Sequence, residues 1–443
     1  MGASSVFGSS RRLNTHAILD LFRLNNLLQE LLLDAHLAYL SDRAFVFADF
    51  IPRAHAPLPD IIPHANMRHF LRIPLPALLS GPIAGGPLSA RGDDTVLRRA
   101  VSEEYFDLVC PKEERVEVGY HEVMGELGID DKTEGDERMA RWAQRLREES
   151  AMCVVVTGGS VFPWWFTGGW QVLSIWPGYS TSPFLSLFAW SPIVTEALYH
   201  NFDLLTSSAP ATPPSYLHPS PHSPQTQNPF ERFPPLSASA SFIPGLLAMH
   251  IRRGDYSYHC PGLADWGSEY TTTIPEGYTG YPALPDYLDV PAVEGETGEQ
   301  VEGEGEEGKR RHDAALRHCW PSIEDIVRKA RDVRLSQLPS LFSNFTTATA
   351  SKLDVIYIST NADPLFIHTL STLLLADGWL KVTSTLDMER NLTPEAGAVN
   401  TAVDMAVLSA AEVFIGNGFS SLTSNVVQIR LGAGREVGSV RFW

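Results

Sequence analysis

The sequence predicts an α/β protein with a doubly wound, largely parallel sheet in its second half. Three observations predict it. At 443 residues the chain exceeds one ordinary core, so two domains are expected. Its second half alternates strand-like and helix-like segments with short connections. A Pro/Ser-rich stretch, residues 207–240, separates that half from a first half that also sets helix beside strand.

The first domain is expected over residues 1–206. Leucines recur at helical spacing in "ILDLFRLNNLLQELLLDAHLAYL", through Leu40. Ser41-Asp42-Arg43 makes a turn, and "AFVFADF" follows as a short buried strand. A proline-rich loop region runs from Pro52 to about Pro87. "DERMARWAQRLREES" is a polar amphipathic helix, "AMCVVVTGG" a strand with a glycine turn, and a further helix opens at Pro192. Residues 207–240 have few core formers and read as a linker.

The second domain, 241–443, opens with the strand "GLLAMHI". Then come "PSIEDIVRKARDVRLSQL" (helix), "KLDVIYIST" (strand), "PLFIHTLSTLLLADG" (helix) and "LKVTST" (strand). "AVNTAVDMAVLSAA" (helix), "EVFIGN" (strand) and "SLTSNVVQIRLGAG" (helix) complete the alternation. An insertion at about 262–312 carries seven glutamates between Glu294 and Glu307, and it is expected to be disordered. "GAGREVG" imitates a dinucleotide loop, but no strand precedes it, so it reads as a helix terminus.

The net charge of −18 argues against a nucleic-acid partner, which requires a basic face. No run of about 18 apolar residues is present, so no transmembrane helix is expected. The start is too weakly apolar for a signal peptide; "MGASS" fits the loose myristoylation pattern at Gly2 but also a plain small-residue tail. Asn344 and Asn391 open glycosylation sequons that matter only on the secretory route. Four cysteines allow one or two bridges.

"LLAMHIRRGDYSYHC" stands out. An apolar strand stops at Arg252-Arg253-Gly254-Asp255. In a doubly wound sheet, ligands bind beyond the carboxyl ends of strands. A guanidinium there is a permanent cation with a donor fork shaped for phosphate oxygens. Gly254 allows a tight turn, and Asp255 can hold the turn or an arginine. The blander alternative is a surface ion pair. Arg253-Gly254-Asp255 also spells an adhesion tripeptide, as does Arg91-Gly92-Asp93; chance explains both. Near the end, "EVFIGNGFSSLTSN" is a strand, a glycine turn and hydroxyls opening a helix, which favours a phosphate. Ser420 or Ser421 could equally serve only as an N-cap.

These elements together resemble the GDP-fucose protein O-fucosyltransferase family. "HIRRGDYSYHC", "HCWPS", "VDMAVLSAAEVFIGNGFSSLTSNVVQIR" and, more loosely, "NNLLQELLLDAHLAYLSDRAFVF" carry the resemblance. It implies two Rossmann-like α/β lobes in a glycosyltransferase B-type arrangement, with the donor held mainly by the second. It implies transfer of fucose from GDP-fucose to a hydroxyl of a protein or glycan acceptor, inverting and without a metal or other cofactor. It places Arg252 on the β-phosphate and glycosidic oxygen. His250 and Asp255 shape that site, Asp404 lies near the guanine or ribose, and Ser420 and Ser421 lie against the diphosphate; Arg253, beside Arg252, is a further candidate donor-binding residue. It also favours a Cys260–Cys319 bridge and an ER or Golgi lumenal setting. Asn25 and Asn26 match the paired asparagines that open the family's first helix. The family's preceding glycine is replaced by Phe22-Arg23 here, and no strand is evident in residues 1–23. Glu30, one turn on, is the candidate general base; a solvated helix glutamate is the alternative.

The chemistry is consistent with these roles. Charge builds on the departing diphosphate, and an arginine aimed at it stabilises that charge. No Asp-x-Asp metal motif is evident. Other readings are a glycosyltransferase with a different nucleotide sugar, or an inactive homologue that binds a glycan or protein. His259-Cys260 and His318-Cys319 make a poor zinc site, because adjacent residues on an extended chain point apart. Cys110 and Cys153 read as buried small hydrophobes or a second bridge. Trp164, Trp165 and Trp170 could face a sugar or pack in the core.

Overall fold

A computed structural model describes residues 12–14, 24–50, 72–88, 99–167, 169–207, 213, 242–265, 306–337 and 352–443. Gly2, the Arg91-Gly92-Asp93 tripeptide, nearly all of the expected linker, the Asn344 sequon and most of the acidic insertion lie outside these residues. So do the side chains of Trp164, Trp165 and Trp170.

Two five-stranded sheets organise the chain. The first contains β1 (Arg12–Asn14), β2 (Ala44–Phe47), β3 (Val101–Ser102), β4 (Arg115–Gly119) and β5 (Cys153–Thr157). Its order is β3-β2-β1-β5-β4, with every pair parallel. A strand therefore does precede the first helix, contrary to the sequence reading. It is three residues long, too short to show a period, yet it pairs on both sides, with Arg12 beside both Ala44 and Cys153.

The second sheet contains β6 (Ile243–Ile251), β7 (Val355–Thr360), β8 (Lys381–Ser384), β9 (Ala411–Gly416) and β10 (Val440–Phe442). Its order is β8-β7-β6-β9-β10, again all parallel. In chain order this is 3-2-1-4-5, the doubly wound pattern, and its switch point lies between β6 and β9. The strand after "GAGREVG" was not foreseen; three residues at a sheet edge carry little signal.

Both faces of β6 are covered. Leu246 and Ala248 join the large core that continues into the first lobe. Leu247, Met249 and Ile251 join a second core under α6 (Ile323–Ser336) and α7 (Pro364–Ala376). Burial on both faces explains why "GLLAMHI" reads as a continuous apolar run.

The leucine-rich helix α1 (Leu24–Leu40) is buried nearly all round, including Gln29, Glu30 and Asp34. Such a helix belongs between layers rather than on a surface. It packs against α9 (Ser421–Gly432) of the second lobe. Gln29 Nε2 donates to Ser424 Oγ at 2.7 Å, and Asn425 Nδ2 donates to the Asn25 carbonyl at 2.8 Å.

Two expectations need trimming. The acidic insertion does not run to 312, because α5 (Glu306–Cys319) begins at Glu306; α4 (Tyr256–Asp265) likewise extends past 262. Within the proline-rich region, Leu79–Ser80 pairs with Ala189–Trp190 as a small antiparallel ladder.

Candidate active site

Arg252 stands one residue past β6, at the switch point. Strand pairing sets Ile415 of β9 beside Met249, so Asn417 and Gly418 emerge level with the arginine turn. Arg252 Nη2 lies 3.0 Å from Asp255 Oδ2 and 2.9 Å from Oδ1. Its Cζ sits 5.5 Å from the centre of the Tyr256 ring. The side chain keeps 23% of its surface open. It is held but not consumed, and its remaining donors can meet an anion.

Arg253 is a different object. It is buried between the rings of Trp320 and Phe366, at 4.3 and 4.7 Å. One guanidinium nitrogen donates to the Pro321 carbonyl. Burial pushes its pKa down to about 10, so it remains a cation at neutral pH. This placement pins the turn to α5–α6. It also removes the adhesion reading, since neither Arg253 nor Asp255 stands at a free loop tip.

Gly254 has φ of 60°, the left-handed region. A Cβ there would fall 2.9 Å from Asn361 Nδ2. Asn361, just past β7, accepts the Arg253 backbone N–H at 2.7 Å and donates to Asp255 Oδ1 at 3.3 Å. No sequence signal marked Asn361, which lies more than a hundred residues downstream.

The serine turn lies alongside. Tyr256 Oη donates to the Phe419 carbonyl at 2.9 Å. His250 Nδ1 is 2.9 Å from Thr423 Oγ1 in the first turn of α9. A Cβ on Gly416 would clash with Thr423, so only glycine lets β9 pass this helix so closely. Ser420 occupies the N-cap position, but its hydroxyl makes no capping bond. Ser421 opens the helix. Burial, and then the neighbouring Arg252, lower the His250 pKa to about 3, so the ring is neutral.

Asp404, on α8 (Asn400–Ala410), is buried. Tyr357 Oη donates to Oδ1, and Ser359 and Thr385 hydroxyls donate to Oδ2 at 2.8 Å each. Burial raises its pKa to about 6 despite these bonds. Its carboxylate is engaged as a hub between β7, Thr385 and α8.

From the first lobe, Asn25 and Asn26 open α1. Asn25 reaches α9 through its backbone carbonyl, while its Oδ1 is buried with no partner among the described residues. Glu30 is buried, so it is not the solvated helix glutamate of the alternative reading. At the carboxyl end of the first sheet, Asp49 and Glu103 have pKa values raised by burial and then by neighbouring carboxylates. A small cavity lined by Leu27, Leu31, Phe50, Trp190, Ala402 and Met405 carries no titratable group, so it is not the chemical centre.

Both cysteine pairs are bridged: Cys260 with Cys319, and Cys110 with Cys153. No cysteine is free. Zinc is thereby excluded at the His-Cys dipeptides; His318 instead bonds the carbonyl of Trp443. Among the described residues no cluster of His, Cys, Asp and Glu could hold a metal ion. No described helix is long and apolar enough to cross a membrane.

Two parallel α/β lobes, with a cationic turn at the switch point of the second, make a two-lobed Rossmann-like fold in a glycosyltransferase B-type arrangement. Comparison with solved structures agrees. The crystal structure of POFUT1 in complex with GDP-fucose superposes with a TM-score of 0.51 at 15% identity, over 100% of this chain and 99% of that one. POFUT1 in its apo form gives 0.50 at 14% identity, with coverage of 100% and 99%. Its complex with GDP in a third crystal form gives 0.51 at 15% identity, with 98% and 99% covered. At such identity the likeness is one of fold. No protein-family description and no curated protein sequence matches the chain.

Proposed function

We propose that the chain is a fucosyltransferase-like glycosyltransferase that uses GDP-fucose as donor and a hydroxyl of a protein or glycan as acceptor. The observation that carries this reading is Arg252, anchored by Asp255 and Tyr256 at the switch point with part of its guanidinium open. An arginine so held supplies fixed positive charge where the leaving diphosphate accumulates negative charge. Ser420 and Ser421, at the start of α9, add hydroxyls and the positive end of a helix. Arg253 and Asp255 shape the turn, and neutral His250 sets the spacing between β6 and α9. Asp404 stiffens the floor beneath the nucleoside side.

Asn25 and Asn26 bring the first lobe to the donor, and the buried Asn25 Oδ1 is an acceptor that a donor hydroxyl can satisfy. The acceptor enters from the first-lobe side and attacks opposite the departing GDP, with inversion. Glu30 is the assigned base. Charge neutralisation by Arg252 replaces a metal in this scheme. The two disulfides support a lumenal, oxidising setting such as the ER or Golgi.

Calorimetry with GDP and GDP-fucose, set against UDP and ADP sugars, tests the reading. GDP ligands are expected to bind preferentially, and Arg252→Ala to weaken them. Equal binding of all three nucleotide classes would overturn the donor assignment.

A further inference from the structure

We propose that Asn361 is a positioning residue for Arg252, acting through Asp255; this rests on the role given to Arg252 above. Pairing of Ile251 with Thr360 sets Asn361 level with Arg252, although the two are far apart in sequence. The Asn361 amide is used at both ends. Its oxygen accepts the Arg253 backbone N–H at 2.7 Å, and its nitrogen donates to Asp255 Oδ1 at 3.3 Å. Asp255 in turn receives Arg252 Nη2. The amide satisfies both neighbours, because one requires an acceptor and the other a donor, and a carboxylate could serve only the first. An aspartate at 361 would set two carboxylates face to face. The glycine at 254 leaves the space that the amide fills.

The consequence is preorganisation. A free arginine side chain gives up rotamer freedom when it is fixed. Asn361 fixes the carboxylate that fixes the arginine, so much of that ordering precedes ligand binding.

The test is a double-mutant cycle on the full chain, with GDP as the probe. Asn361→Ala is expected to weaken GDP binding about 10-fold, and to add nothing when Arg252 is already Ala. Asn361→Asp should be at least as damaging. In ligand-free protein, the NMR order parameter of the Arg252 Nε–H should fall in Asn361→Ala, while that of buried Arg430 should not. Additive losses in the cycle, or an unchanged Arg252 order parameter, would overturn the inference. If Arg252→Ala binds GDP like the parent protein, the site reading fails on its own; the order parameter still decides whether Asn361 holds Arg252.

Discussion

The Tyr256 hydroxyl donates to the Phe419 carbonyl across 2.9 Å, and this bond ties the arginine turn to the serine turn. The same tyrosine offers its ring to Arg252. One residue thus sets the distance between the two groups assigned to the diphosphate. Tyr256→Phe keeps the ring and leaves the Phe419 carbonyl without this donor. The expected cost is about 1 kcal/mol, read as a several-fold weaker GDP affinity in calorimetry. Unchanged affinity would show that the two turns are fixed by other contacts.

Adjacent arginines should respond in opposite ways. Arg253→Ala empties the slot between Trp320 and Phe366 and should cost about 3 kcal/mol in urea unfolding. Arg252→Ala should change stability by no more than about 0.5 kcal/mol, since its side chain is part-exposed. Its kcat with GDP-fucose should fall by about 100-fold or more. Matching stability losses would refute this division of labour.

Acid should act on His250. Its pKa is about 3 in the fold against 6.5 when unfolded, so between those values the unfolded chain binds the extra proton. Its contribution is complete above pH 6.5 and is lost as pH falls toward 3. At pH 5 the loss is about 2 kcal/mol relative to neutral pH. Buried Asp404 works in the other direction, since its raised pKa means stability falls as pH rises from 3.8 to about 6. Comparing unfolding of the parent protein with His250→Gln at pH 7 and pH 5 isolates the histidine: the variant should gain relative to the parent at the lower pH. A constant difference would rule this out.

The Cys260–Cys319 bridge closes a 59-residue separation that spans the acidic insertion. A loop of that length predicts a loss of about 4 kcal/mol on replacing both cysteines with alanine, chiefly through the unfolded chain. Peptide mapping without reductant should recover both bridges, and free thiols in secreted material would remove the lumenal assignment.

Much of the second lobe was legible in the sequence, because its strands and helices carry their own periods and its turns their own residues. The alternation after residue 241, Arg252 at the end of its strand, and the serines opening the last helix are all local facts. The first lobe was harder to read. Arg12–Asn14 is too short to show a period, and its central place comes from partners thirty and more residues away. Only the tertiary structure separated Arg252 from Arg253, which look alike in a row of letters. Their difference lies in Trp320 and Phe366, which surround one and not the other. Asn361 was likewise invisible, because its importance is a pair of hydrogen bonds across neighbouring strands. Sequence patterning determined most elements of the second lobe and what ends each of them. Packing between distant segments decided which polar groups are spent on the fold and which keep open surface, as Arg252 does.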